Sequence, residues 1–212
     1  MYRQVRTKRP TGERAREQTV RVLALSARAS RGFVALGSLR FPCALGRAGC
    51  RARKREGDGA TPVGRWRVDA IRYRPDRTRR PRTALSVRAM RPSDGWCDAP
   101  ADRSYNRFVR HPYAASAERL WRQDGLYDLL AVLAYNERPR VRGRGSAIFM
   151  HVAGAGYAPT EGCIALRRAH LERLVERLGP GAALHVGARN KKRPELARRA
   201  FRSTYRGSGV LE

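Results

Sequence analysis

A chain of 212 residues, 42% hydrophobic, is long enough for one domain with its own core. No apolar run reaches the roughly 18 residues that a membrane-crossing helix needs. The formal net charge is +28, and the basic side chains are arginines apart from Lys8, Lys54, Lys191 and Lys192. They are dispersed rather than gathered: residues 31–187 hold 30 of the 46 together with 14 acidic side chains, which argues against a dedicated nucleic-acid helix and for a surface that attracts anions in general.

Residues 1–18 are polar, charged and without period, and are expected to form a basic disordered arm. Arg14, Arg16, Arg21 and Arg28 interrupt any apolar core of a secretory signal, so none is read here. The stretch TVRVLAL (19–25) has strand alternation, and 32–46 reads as two strands around Gly37-Ser38. Residues 54–64 are dense in turn formers, with Asp58-Gly59 the strongest local signal. In RWRVDAIRYR (65–74), alternation puts Trp66, Val68, Ala70 and Arg72 on one face. Residues 75–82 are basic and bounded by prolines, and read as a surface loop.

Residues 93–109 are expected to be mostly irregular, a loop rich in aromatic and amide side chains. Ser116 is placed as the N-cap of a short helix over 116–123, with Leu120 and Trp121 on its apolar side. YDLLAVLAYN (127–136) and GSAIFMHV (145–152) are strongly strand-like. Leu171, Leu174, Val175 and Leu178 recur at helical spacing within 166–179, stopped by Gly179-Pro180-Gly181. A closing strand over 182–187 and a basic tail over 188–212 complete the chain. Many short strands with one or two short helices give a mainly β domain over 19–187.

The chemistry concentrates in HVAGAGYAPTEGCIAL (151–166). Strand alternation puts Ala147, Phe149 and His151 on one face of the first strand, and Cys163 and Ala165 on one face of the second, with Ile164 and Leu166 opposite. If the two strands are neighbours, Cys163 and His151 approach each other, the arrangement that cysteine nucleophiles use, with an imidazole to take the thiol proton. Gly162 lets the backbone approach a substrate carbonyl, and the N–H groups of Gly162 and Cys163 are placed to meet a developing oxyanion. The spacing alone is equally that of a β-turn beside a buried structural thiol. Other residues read as structural: Cys43, Cys50 and Cys97, with Cys43–Cys50 the closest pair in sequence; His111 in a loop; His170 and His185 as ordinary surface or core residues; Ser146 as a hydrogen-bonding residue. A zinc site from Cys97, His151 and Cys163 has no supporting Cys-x-x-Cys spacing.

His151 followed by Thr160-Glu161-Gly162-Cys163-Ile164 resembles the catalytic signature of the YkuD-type L,D-transpeptidase domain. DGATPVGRWRV (58–68), SDGWCDAPADRSYNR (93–107), GSAIFMHVA (145–153) and LERLVERLGPGAALHVG (171–187) are similar to its other segments, so the resemblance covers about residues 30–187. It implies a β-rich catalytic domain. Cys163 would form a thioester with a peptidoglycan stem peptide, His151 would act as base, oriented by a backbone carbonyl rather than by Asp98 or Glu161, and the amides of Gly162 and Cys163 would serve as oxyanion donors. Resolution by an amine gives a 3→3 cross-link, and resolution by water an L,D-carboxypeptidase. The resemblance further implies no metal or organic cofactor, a place in the periplasm or cell envelope, and no specific nucleic-acid partner. Trp96, Tyr105, Asn106, Thr160 and Arg167 are the expected substrate contacts.

The chain departs from the family pattern at three points. Glu161 stands where histidine is frequent and brings a negative charge toward the thiol. Ala165 stands where arginine is frequent, leaving Arg167 or Arg144 to supply a cation. The loop from His151 to Cys163 is shorter than in many members. The reading from another class, a polyanion- or nucleic-acid-binding basic protein, rests on the charge alone.

Overall fold

The structure, a computed structural model, describes residues 18–188. The expected arms therefore lie outside the described residues except for Gln18 and Ala188. In chain order the strands are β1 (Thr19–Ala24), β2 (Arg31–Leu36), β3 (Leu39–Ala44), β4 (Cys50–Arg51), β5 (Thr61–Pro62), β6 (Gly64–Tyr73), β7 (Val87–Ala89), β8 (Asp94–Cys97), β9 (Arg107–Arg110), β10 (Ala117–Arg119), β11 (Leu129–Leu133), β12 (Phe149–Val152), β13 (Ile164–Leu166) and β14 (Ala183–Ala188). One α-helix, α1 (Arg168–Val175), lies between the last two. The fold is mainly β, as the strand patterns imply.

The main sheet runs β11-β12-β13-β3-β2-β1-β14-β6-β7, and β6 also pairs with β11. That second pairing closes the sheet on itself and removes most free edges. The first strand and the last lie side by side and parallel, from Thr19↔Ala183 to Ala24↔Ala188. Val20, Val22 and Ala24 point inward and alternate with exposed residues, so the period-two pattern of TVRVLA sets which face of β1 joins the core. Gly37, with φ +57°, makes the β2–β3 turn that its sequence announces. Leu171, Leu174 and Val175 of α1 are buried in the same core as these strands.

β11 is buried on both faces. Leu129, Ala131 and Leu133 belong to the large core, while Leu130 and Val132 belong to a second cluster with Tyr127, Phe149, Leu120, Met90 and Cys163. A three-stranded sheet, β10-β8-β9, lies over that second cluster, with Trp96 and Phe108 packed against it. This small sheet refines one expectation and corrects another. Residues 93–109 are mostly irregular as expected, with 98–106 outside any strand, but β8 and β9 flank that stretch and pair from Asp94↔Arg110 to Cys97↔Arg107. The helix expected over 116–123 is replaced by strand β10, whose Ala117, Glu118 and Arg119 pair with Cys97, Trp96 and Gly95. An open edge of β8 with its unmet backbone groups outweighs a weak local helix preference.

A second correction concerns β6. Val68 opposes Leu133 and Ala70 opposes Val132, so two residues of β6 span one step of β11. This bulge at Asp69 flips the alternation. Ile71 and Tyr73, not Ala70 and Arg72, join Val68 in the core. The strand at 145–152 is also shorter than its apolar run, because Ala147 adopts φ +51° and interrupts it.

Candidate active site

β12 and β13 are parallel neighbours, with Met150↔Ile164 and His151↔Ala165 in register. Cys163 immediately precedes β13, level with Phe149, and so lies one same-face step from His151. Strand geometry puts their Cα atoms about 8 Å apart on the diagonal. Both side chains line one cleft of about 510 Å³, together with Lys54, Asp98, Glu118, Tyr127, Ser146 and Thr160. The sequence pattern thus brings thiol and imidazole to one groove.

The thiol is held by the strand beside it. Its S–H donates to the Ala147 carbonyl at 3.2 Å, and its sulfur accepts from the Phe149 N–H at 3.3 Å. Cys163 is 7% exposed. Burial pushes its pKa up to about 12; Glu118 adds to the rise, while the Phe149 amide and Lys54 oppose it. The group at rest is therefore a neutral thiol. Its anchor, Ala147, sits in the left-handed region and is held there by an N–H bond to Asn106 Oδ1 at 3.2 Å. Backbone strain of this kind is characteristic of functional sites.

His151 is 5% exposed. Its Nδ1 lies 2.8 Å from the Val152 carbonyl. A carbonyl only accepts, so Nδ1 carries the proton and the Nε2 lone pair is the basic position. Burial lowers the imidazole pKa to about 4, with the Val152 and Leu126 carbonyls pulling the other way. The Tyr127 ring meets the imidazole edge-on, with centroids 5.1 Å apart. Imidazole and thiol are thus both neutral at rest.

The loop before Cys163 is fixed from two sides. Thr160 Oγ1 donates to the Cys163 carbonyl at 2.7 Å and accepts from the Gly162 N–H at 3.2 Å. The Gly162 amide, expected as an oxyanion donor, is thereby directed within the loop. From the other side, the segment between β3 and β4 grips Thr160: its N–H reaches the Leu45 carbonyl at 2.9 Å, and the Arg47 N–H reaches its carbonyl at 2.8 Å. Thr61 Oγ1 accepts from Gly46 N at 2.8 Å and donates to the Cys163 carbonyl at 3.4 Å. Gly162 has φ +140°, and a Cβ there would lie 2.8 Å from the Ala60 carbonyl oxygen. Gly162→Ala is expected to cost about 1–3 kcal/mol and to shift the thiol, which urea denaturation and thiol alkylation of the same protein would show together.

Two charged residues of the cleft escaped the sequence reading. Lys54, 4% exposed, lines it with Nζ 2.7 Å from Asp58 Oδ1. Burial raises the Asp58 pKa, but Lys54 and the N–H groups of Arg55 and Ala60 outweigh it and lower the value. Lys54 is the cation nearest the thiol's needs, a part that Arg167 and Arg144 do not play: both are exposed, and Arg167 stacks over Tyr157. Lys54→Met is expected to destabilise the fold by about 3 kcal/mol, because it strands a buried carboxylate, and to slow thiol alkylation further. Removing Asp58 as well, in Lys54→Met/Asp58→Asn, should recover much of the stability. The only turn-like signal in 54–64 that marked this pair was Asp58-Gly59.

Glu118 is the second. Its carboxylate accepts from the Tyr127 hydroxyl at 2.6 Å and faces the cleft. The helix expected over 116–123 singled out only Ser116, Leu120 and Trp121. Glu161, expected to bear on the thiol, instead turns outward to a bidentate bond with Arg47, both oxygens 2.9 Å from Nε. The acid that opposes thiolate formation is Glu118.

The remaining expected contacts divide. Thr160 lines the cleft. Trp96 and Asn106 line a smaller cavity of about 140 Å³ instead. Trp96 Nε1 donates to Asn106 Oδ1 at 2.9 Å, and Asn106 Nδ2 donates to the carbonyls of Tyr135 and Asn136. Tyr105 is buried, its hydroxyl bonded to Glu56 and to the Gly145 N–H. Asn106 reaches the thiol through its bond to the Ala147 N–H, and Trp96 through its edge-on contact with Phe149, ring centroids 5.3 Å apart.

Fold and cleft together define a β-rich domain that carries a thiol and an imidazole in one groove. The family of the L,D-transpeptidase catalytic domain, YkuD, matches residues 29–186, and the chain belongs to that family. Among solved structures, Mycobacterium tuberculosis L,D-transpeptidase 1 is similar at 11% identity and a TM-score of 0.36, over 81% of this chain and 63% of that one, a level that adds nothing to the family assignment. No curated protein matches.

Proposed function

We propose that residues 19–187 form a cysteine-dependent L,D-transpeptidase unit acting on peptidoglycan stem peptides. The observation that carries this is the shared cleft of Cys163 and His151, on adjacent parallel strands, in a chain of this family. Cys163 Sγ attacks the carbonyl of the third residue of a tetrapeptide stem. Its proton passes through His151 Nε2 to the nitrogen of the departing D-Ala as the C–N bond breaks. A thioester remains. A side-chain amine of a second stem then forms the new C–N bond and the thiolate leaves, giving a 3→3 cross-link. Water in place of the amine gives carboxypeptidase activity.

The free protein holds its thiol against Ala147, so attack requires Sγ to leave that carbonyl and turn toward the imidazole as substrate fills the cleft. The Cys163 amide is the proposed oxyanion donor, with Lys54 offsetting the negative charge that develops. The +28 charge suits an anionic cell-wall surface, and the family points to the cell envelope. No helix among the described residues is long and apolar enough to cross a membrane.

The test is incubation of the protein with disaccharide-tetrapeptide, followed by intact-mass spectrometry and product chromatography. The expected result is an adduct lacking the terminal D-Ala and cross-linked dimers. Absence of any adduct, with the tetrapeptide and with a carbapenem alike, would overturn the proposal.

A further inference from the structure

A carboxylate beside a thiol that must ionise works against the first half of the reaction. Glu118 raises the Cys163 pKa, and the cleft nevertheless keeps it there by specific contacts. It sits on β10 opposite Trp96, accepts from Tyr127 OH, and lies 3.9 Å from Arg122 Nη1. Arg122 does not fully neutralise it, because its guanidinium is engaged by Asp124 in bonds of 2.5–3.1 Å. The Glu118 side chain remains 27% exposed, open to the cleft.

Two further polar groups of the same cleft lack partners among the described residues. Ser146, 6% exposed, has no hydrogen bond at Oγ, and neither has Asp98 Oδ1. Asp98 follows directly on β8, and its N–H donates at 3.3 Å to the carbonyl of Ser116, two residues before Glu118. One wall of the cleft is thus acidic and carries open acceptors, while Lys54 stands on another. Buried acceptors without a donor call for a ligand that brings N–H or O–H groups.

We infer that Glu118, with Asp98 near it and Ser146 lining the same cleft, receives the primary ammonium of the acyl acceptor and takes its proton. This rests on the acyl-transfer reading above and concerns its second half. An ammonium is not a nucleophile until it loses a proton. Transfer of one proton from R–NH₃⁺ to the Glu118 carboxylate gives R–NH₂, which attacks the thioester carbonyl. As the C–N bond forms and the C–S bond breaks, the second proton passes through His151 to the Cys163 thiolate. The amide is released, the thiol is restored, and Glu118 returns its proton to solvent. Atoms and charge balance with no other reactant. Burial lifts the Glu118 pKa above its ordinary value, against the pull of Tyr127 and Arg122 and with that of Asp98 and Asp124, which suits a base.

The experiment separates the two half-reactions in the full chain. Acylation of Cys163 is followed by mass spectrometry. Deacylation is followed with three acceptors: a stem tripeptide bearing a free side-chain amine, water, and hydroxylamine, which is uncharged near neutral pH. Glu118→Gln, which still accepts from Tyr127, is expected to lower the ratio of tripeptide transfer to hydrolysis at least tenfold. It should not slow acylation, since it removes a charge that opposes the thiolate, and it should spare transfer to hydroxylamine. Glu118→Asp should recover part of the lost transfer. An unchanged transfer-to-hydrolysis ratio would overturn the inference. So would slower acylation with that ratio intact, which would place the donor's own ammonium at Glu118, or equal losses in every step, which would make Glu118 structural. If the unaltered protein forms no adduct, the acyl-transfer reading itself fails.

Discussion

Cys163→Ala is expected to abolish the covalent adduct with both tetrapeptide and carbapenem, and to reduce turnover on the order of a million-fold. The reasoning is local. Among the described residues Cys163 is the only sulfur lining the cleft, and the thioester requires a sulfur. The other cysteines are buried, and the pKa values of Cys43 and Cys50 are raised by burial to about 12 and about 11. None offers a substitute. Alanine costs little in folding, because the thiol's two bonds are to the Ala147 carbonyl and to the N–H of Phe149, whose strand β12 is already paired with β11. A melting temperature close to that of the unaltered protein, with no adduct, assigns the loss to chemistry. An adduct persisting in Cys163→Ala would remove Cys163 as the nucleophile.

His151→Gln is expected to slow acylation by about 10²–10⁴-fold and to change two pH profiles. With a pKa of about 4 in the free protein, the imidazole is already a free base over the ordinary range. The acylation rate should therefore fall only as pH drops through about 4, rather than at the 6.5 of an unperturbed histidine. The stability effect has a definite sign. The folded pKa is depressed, so between pH 6.5 and about 4 the unfolded chain binds a proton that the folded one refuses. Stability contributed by neutral His151 is lost as pH falls through that window and changes no further below about 4. In His151→Gln this part of the slope should vanish. Urea denaturation at a series of pH values measures it, and an acylation inflection near 6.5 would show that the ring is hydrated rather than buried.

The meeting of Cys163 and His151 in one cleft was legible in the sequence because both lie within a few residues of a strand end, where period-two alternation fixes the face. β1, the β2–β3 hairpin and α1 were legible for the same reason: each buries one face. What escaped depended on partners distant in sequence. β10 is a strand because β8 has an open edge, a fact that no window around Glu118 contains. The bulge at Asp69 follows from pairing with β11. Lys54 looked like one of many basic residues in a turn-rich stretch, and only the folding of residues 54–58 beneath Gly162 and Gly145 buries it. Trp96, Tyr105 and Asn106 were singled out by residue type, and the structure places them behind the thiol's strand.

The parallel pairing of β1 with β14 has a consequence for the order in which the protein folds. Residues 19–24 meet their partners only when residues 183–188 are available, so the sheet cannot close on a nascent or truncated chain. Contacts of such long range make folding slow relative to helical proteins of equal size. Until they form, β1 and β6 present the edges that β14 covers, and unpaired edges invite association between chains. A chain cut before Ala183 would leave the edges of β1 and β6 uncovered and is expected to associate, which sedimentation of the truncated chain would show.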